Sequence, residues 1–190
     1  SEPFSGDIKK DHNPVPFNFC KILTGSEGTL AFMTEIRLNL VPLPPPEKAL
    51  ICVHLNSVME AVRANLIALE FKPDAIELMD KTILDCTREN IAQRKNRFFI
   101  EGDPGAILII EFARNKKEEI LEIKVAVENE LRKNKLGFSF PIIFGKDINK
   151  VWALRKAGLG VLSNIPGDAK PVAFIEDASV DVRNLENYLK

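Results

Sequence analysis

Histidine is nearly absent from this 190-residue chain, which carries only His12 and His54. So small a supply argues against a histidine-rich metal centre built within it. Cysteine is scarce too: Cys20, Cys52 and Cys86 stand far apart and form no C-x-x-C pair. An odd number of thiols, behind an N-terminus (SEPFSGDIKK) without a signal-peptide pattern, predicts reduced cysteines in a cytoplasmic protein. Cys52 and Cys86 fall in apolar or amphipathic segments and read as core packing. No apolar run is long enough to span a bilayer. Neither sign of charge prevails: 26 Lys and Arg against 27 Asp and Glu leave a formal net charge of −1, which argues against a nucleic-acid partner. What is present, 45% apolar and 28% charged residues, suffices for a sizeable core in a soluble protein.

Residues 1–19 are rich in Ser, Pro, Gly, Asp and Asn and show no period, so they read as a loop or frayed terminus. Leu30–Val41 alternates, with Leu30, Phe32, Ile36, Leu38 and Leu40 on one side, and predicts a half-buried strand. The prolines of Val41-Pro42-Leu43-Pro44-Pro45-Pro46 cannot continue a central strand, and predict an extended linker and a domain boundary. The expected domains are residues 1–45 and 46–190.

Beyond the linker, strands are expected at Ala49–Leu55, Ala75–Met79, Ile107–Phe112, Phe138–Phe144 and Pro171–Val180. The turn Gly102-Asp103-Pro104-Gly105 introduces the third of them. Ser57 and Glu60 form an S-x-x-E capping box for a helix with Val58, Val62, Leu66 and Leu69 on one face. Asp80 is expected to cap a helix running to about Arg94, with Leu84, Thr87 and Ile91 inward. Lys116–Lys133 is amphipathic through Ile120, Ile123, Val127 and Leu131, and it ends ahead of Gly137. Asp147 is expected to cap a helix into Trp152 and Arg155, and Asn184–Lys190 to open another. The strands alternate faces or carry charges, which favours an α+β fold: a largely antiparallel sheet with helices packed on one side.

Two segments could carry chemistry. The first is Gly25-Ser26-Glu27-Gly28-Thr29, whose glycines permit a tight turn with exposed N–H groups suited to an anion. It feeds a strand rather than a helix, and no Walker A lysine follows Gly28, so P-loop and Rossmann readings fail. A plain turn would look the same. The second is Arg155, which shares a helical stripe with Ile148, Val151, Trp152, Leu159 and Leu162. A guanidinium there needs water, a structural partner such as Glu176 or Asp177, or a ligand carboxylate held by two parallel bonds. Glu176 and Asp177, as strand neighbours, point to opposite faces and cannot act as a carboxylate pair. His54 reads as a satisfied core or edge histidine, and Trp152 as packing that could also wall a pocket.

The stretch LTGSEGTLAFMTEIRLNLVPLP closely resembles the end of the FAD-binding domain in FAD-linked oxidases of the vanillyl-alcohol-oxidase superfamily, nearest the glycolate oxidase large subunit and D-lactate dehydrogenase branch. PDAIELMD (Pro73–Asp80), VWALRKAGLGVL (Val151–Leu162) and KPVAFIEDASV (Lys170–Val180) follow in the family's order. The last two are most similar to large members that also carry an iron–sulphur region.

The resemblance implies that Gly25, Ser26, Glu27, Gly28, Thr29, Leu30 and Ala31 lie along FAD, and that Arg155 in W-x-x-R holds a substrate carboxylate. It adds Lys170 as a second cation. It implies residues 1–45 as the tail of the FAD-binding domain, and 46–190 as a ferredoxin-like substrate (cap) domain that stops short of its histidine-rich segment. Ala31 stands where relatives have glycine, and Asp181 where they have proline.

The function expected is therefore that of a fragment of an FAD-dependent dehydrogenase, oxidising a D-2-hydroxy acid such as D-lactate or glycolate by hydride transfer to flavin. The fragment alone is expected to be inactive and not to retain FAD. Electrons would leave to an iron–sulphur region, a quinone or a carrier protein, with the full-length protein cytoplasmic or peripheral to the inner membrane. The base is expected outside this chain, and no metal site within it. The alternative is a non-catalytic α+β ligand- or partner-binding module, which has no reason to carry the glycine turn and proline linker.

Overall fold

The computed structural model describes residues 17–158, 160, 167–168 and 179–190. The chain falls into two units, Ser1–Pro42 and Leu43–Lys190.

The second unit is built on four strands: β1 (Glu47–Leu55), β2 (Ala75–Asp80), β3 (Ala106–Arg114) and β4 (Ile142–Phe144). They form one sheet in the order β2-β3-β1-β4, and every neighbouring pair is antiparallel. Helix α2 (Val58–Leu69) connects β1 to β2, and α5 (Lys117–Lys133) connects β3 to β4. Two crossovers interlocked in this order make a ferredoxin-like split β-α-β arrangement. The expected α+β class and antiparallel sheet are what the chain adopts.

Seven consecutive residues of β1, Ala49–Leu55, are buried, because both faces of the sheet are covered. On one face Ala49, Ile51, Val53 and Leu55 meet Leu108, Ile110 and Phe112 of β3 under α2 and α5. On the other, Leu50 and Cys52 meet Ile107, Ile109, Met79 and Ile143. The two long helices do share one side, as expected. The second face is closed by shorter elements: α3 (Lys81–Glu89), a 3-10 turn at Lys95–Arg97, and α6 (Asp147–Lys156), which contributes Val151 and Leu154. A sheet buried on both faces supports a larger core than one open to water.

Local chemistry sets the boundaries. Ser57 Oγ accepts from Glu60 N (3.2 Å), and Glu60 returns a carboxylate to Asn56 N (2.9 Å), starting α2. The inner face of that helix is Ala61, Val62, Ala64 and Ala68, whereas Leu69 of the expected apolar stripe is 40% exposed. Small side chains let the helix approach the sheet closely, so the alanines were the buried stripe.

Asp80 caps α3 as expected, its carboxylate accepting from Ile83 N at 2.9 Å. The helix does not reach Arg94 unbroken. Asn90 turns extended (ψ 114°) and caps a new turn, α4 (Ile91–Arg94), through Gln93 N. The break leaves Ile91 outside, 87% exposed, while Leu84 and Thr87 remain buried. Asp147 is the first residue of α6 rather than its cap, and it pairs with Lys150 at 2.7 Å. Of Phe138–Phe144 only Ile142–Phe144 forms a strand, with an isolated bridge from Ser139 to His54. Asn184–Lys190 shortens to α7 (Leu185–Tyr188). The expected strand Pro171–Val180 lies largely outside the described residues.

In the first unit, α1 (Phe19–Leu23) precedes the glycine turn. Leu30–Val41 is not a strand there. A strand needs a neighbour for its N–H and C=O groups, and among the described residues none pairs with it. Its apolar side chains are accordingly exposed: Phe32 by 93%, Leu38 by 79% and Leu40 by 93%.

Candidate functional site

The glycine turn is tightly hydrogen-bonded at its root and open at its tip. Ser26 N and Oγ both donate to Leu23 O (3.1 and 2.9 Å), and Thr29 N and Oγ1 both donate to Ser26 O (2.9 and 2.6 Å). Between them Glu27 (φ 48°) and Gly28 (φ 77°) are left-handed in succession. Gly28 is needed for its φ rather than for space, since a Cβ there would meet nothing within 4 Å. The N–H groups of Glu27, Gly28, Leu30 and Ala31 bond to no other described residue. Two pairs of N–H donors left without a partner among the described residues, on an exposed turn, fit an acceptor-rich group such as a flavin dinucleotide.

Arg155 lies at the far end of α6, past the side chains that anchor the helix. Val151 and Leu154 are fully buried, while Trp152 and Arg155 emerge where the second sheet face ceases to be apolar. On that face the strand pairing sets Glu77 of β2 opposite Ile109, and Glu111 of β3 opposite Ala75 and Leu50. Arg155 donates from Nε (3.1 Å) and Nη2 (2.8 Å) to the same Glu77 oxygen, Oε2. Beside them Trp152 Nε1 donates to Glu111 Oε2 (3.2 Å), and Lys48 Nζ approaches Glu111 Oε1 (3.5 Å). Two cations and two carboxylates thus form a row with the indole between.

The side chains of Arg155 and Glu77 are 40% and 42% exposed. A pair so open to water contributes little to stability, about 0–1 kcal/mol. What the pair does is fix a plane. Glu77 uses the Nε–Nη2 side of the guanidinium, and Nη1 has no hydrogen bond among the described residues. The Nη1–Nη2 end retains one N–H on each nitrogen, the fork that receives a carboxylate in two parallel bonds.

The sequence alone did not point to Glu77 or Glu111. Their signal was present in the alternation: each is a carboxylate on a strand face whose other residues, Met79 and Ile109, are buried. Glu176 and Asp177, offered as structural partners of Arg155, lie outside the described residues, as does Lys170.

His54 and Cys52 are structural. His54 is buried, with Nδ1 on Cys52 O (3.0 Å), while Glu101 N donates to Nε2 (3.1 Å). Burial lowers its pKa from the ordinary value near 6.5. The Cys52 thiol is pushed up to about 12 by burial, which leaves it inert. Among the described residues no group of three or more His, Cys, Asp or Glu could hold a metal ion. No helix among them is long and apolar enough to cross a membrane.

Residues 44–190 match the family "FAD linked oxidases, C-terminal domain", and the chain belongs to that family. It is similar to D-2-hydroxyglutarate dehydrogenase of Haemophilus influenzae, 34% identical over 184 residues that take in 91% of this chain and 18% of that protein. The enzyme of the same name from Escherichia coli is 30% identical over 183 residues, with the same coverage of 91% and 18%. Glycolate oxidase subunit GlcD of Bacillus subtilis is 25% identical over 190 residues, covering 97% of this chain and 37% of that protein. These alignments take in more than residues 44–190, so the likeness reaches into the first unit. The chain spans less than a fifth of the length of the D-2-hydroxyglutarate dehydrogenases it matches.

Proposed function

We propose that this chain is part of a longer FAD-dependent dehydrogenase that oxidises a D-2-hydroxy acid. In this reading residues 1–45 are the tail of an FAD-binding domain, and 46–190 belong to the substrate domain. The observation that carries it is Arg155: in a chain of this family, a half-exposed guanidinium is held in one plane, and the two N–H groups of its carboxylate-accepting end have no hydrogen bond among the described residues.

FAD, when bound, supplies the acceptor for the hydride leaving C2 of the substrate. The turn Gly25–Ala31 would hold part of it through the N–H groups of Glu27, Gly28, Leu30 and Ala31. Arg155 would pin the substrate carboxylate and so restrict the orientation of C2. Trp152, fixed through its indole N–H, would wall the pocket beside it. Lys170 would add a second cation. The base that takes the hydroxyl proton, and the acceptor that draws the electrons off (an iron–sulphur region, a quinone or a carrier protein), are assigned to the rest of the longer protein.

For the substrate, the names of the relatives favour D-2-hydroxyglutarate over D-lactate and glycolate. The test is Arg155→Ala in the full-length, FAD-loaded protein. The reading predicts that KM for the D-2-hydroxy acid rises about 10–100-fold, the loss expected for a charge-assisted hydrogen-bonded pair. An unchanged KM would remove Arg155 from the site.

A further inference from the structure

We infer that Glu77 is a positioning residue for substrate binding: it orients the Arg155 guanidinium so that its outer fork faces the incoming carboxylate. The inference rests on the reading of Arg155 proposed above and extends it to a residue on a different element. An arginine side chain ends in a planar group on a flexible stem, and an unheld guanidinium samples many orientations. Here one carboxylate oxygen bridges Nε and Nη2, at 3.1 and 2.8 Å, and this fixes both the stem and the plane.

Glu77 takes the side fork with a single oxygen, so the end fork, Nη1 with the second N–H of Nη2, is left without a partner among the described residues and can receive a ligand. A second carboxylate placed there completes a carboxylate–guanidinium–carboxylate stack of hydrogen bonds in one plane. Glu77 is itself held by its strand. The β2–β3 register sets it opposite Ile109, between the buried Met79 and the exposed Ala75, so its backbone cannot drift when the ligand arrives. Arg155 is anchored in the same way by the buried Leu154 next to it and Val151 one turn back along α6. Two ordered elements, an edge strand laddered along its length to β3 and a packed helix, therefore set the direction of the fork.

The exposure of the pair separates this role from a structural one. At 40% and 42% exposed, the two side chains are in contact with water, where such a pair stabilises a fold little. A positioning role leaves stability almost untouched and appears in the binding of the carboxylate.

The experiment uses the full-length, FAD-loaded protein with D-2-hydroxyglutarate and with D-lactate, measuring KM, kcat and melting temperature for Glu77→Ala, Glu77→Asp, Glu77→Gln and Arg155→Ala. Glu77→Ala is expected to raise KM about tenfold with kcat changed less, because the lost interaction acts on binding. Glu77→Asp, whose oxygens fall one methylene short, should raise KM several-fold (about three- to fivefold) at an unchanged melting temperature. Glu77→Gln keeps an acceptor oxygen of the same reach and should stay within about threefold of the parent KM.

An Arg155→Ala variant with raised KM beside Glu77→Ala and Glu77→Asp variants with the parent KM would overturn the positioning role alone. If Arg155→Ala leaves KM unchanged, or neither acid is oxidised, the reading of the site and this inference fall together. Should Glu77→Ala fail to fold, the Asp and Gln pair still distinguishes the outcomes.

Discussion

His54 is satisfied only while neutral. Its Nε2 must be unprotonated to accept from Glu101 N, which puts the proton on Nδ1, facing Cys52 O. Protonation would set two N–H groups against each other at the join of β1 and the segment before β3. Because burial lowers the folded pKa below 6.5, the unfolded chain binds the proton first as pH falls. The stabilisation is therefore complete above about pH 6.5 and is lost as pH falls toward the folded value. Melting temperature measured from pH 8 to pH 5 should fall on the acid side. The imidazole resonance of His54 in the native protein should titrate below that of an unfolded reference; a titration at or above the reference would refute this.

Gly105 carries a sharper constraint: a Cβ there would lie 2.1 Å from Asn56 O, a backbone atom that Leu55 and Ser57 hold in place. Gly105→Ala should destabilise by about 3 kcal/mol or more, read from urea unfolding at unchanged m-value. The sequence had marked this glycine as a turn residue, but turn propensity alone does not reveal that another strand end passes against it.

Among the elements, α2 shows what sequence pattern conveys and what it leaves out. The capping box and the helix were legible because Ser57 and Glu60 act locally. The buried stripe was not, because alanine scores weakly in an apolar pattern yet decides how near a helix can lie to a sheet. Ala64→Leu should therefore cost about 1–3 kcal/mol despite added apolar area, in the same unfolding assay.

The Leu30–Val41 stretch erred in the opposite direction. Its alternation is strong, but a strand is a relation between segments, and its partner is not among the described residues. A double substitution Leu38→Lys, Leu40→Lys in this chain should shift stability by less than about 0.5 kcal/mol, because both side chains are exposed, by 79% and 93%. A larger loss would show that the stretch is packed in solution. Asn90, which breaks the helix at Glu89 and restarts it, shows the same limit: a single side chain able to cap can outweigh continuing periodicity.

At the scale of the molecule, the sheet order follows from two crossovers, and the order brings the site together. Glu77, Glu111 and Lys48 come from β2, β3 and β1, and Trp152 and Arg155 from a helix that follows β4. Arg155 could be singled out from the sequence because a guanidinium on an apolar stripe needs a partner. That the partner is Glu77, 78 positions earlier, depends on strand register and on where α6 packs, neither of which local pattern contains. The glycine turn was legible as a turn, and its open N–H groups follow from the left-handed pair Glu27–Gly28.

The proposed reaction is hydride transfer from a D-2-hydroxy acid to FAD bound by a longer protein that contains this chain. Its most direct test is the visible spectrum of the full-length, FAD-reconstituted protein, recorded anaerobically before and after D-2-hydroxyglutarate, then D-lactate and glycolate. The expected result is an oxidised-flavin spectrum that bleaches with at least one of these acids, and with the D rather than the L enantiomer where the acid is chiral. A protein that takes up no flavin, or a flavin spectrum unchanged by all three acids, would contradict it.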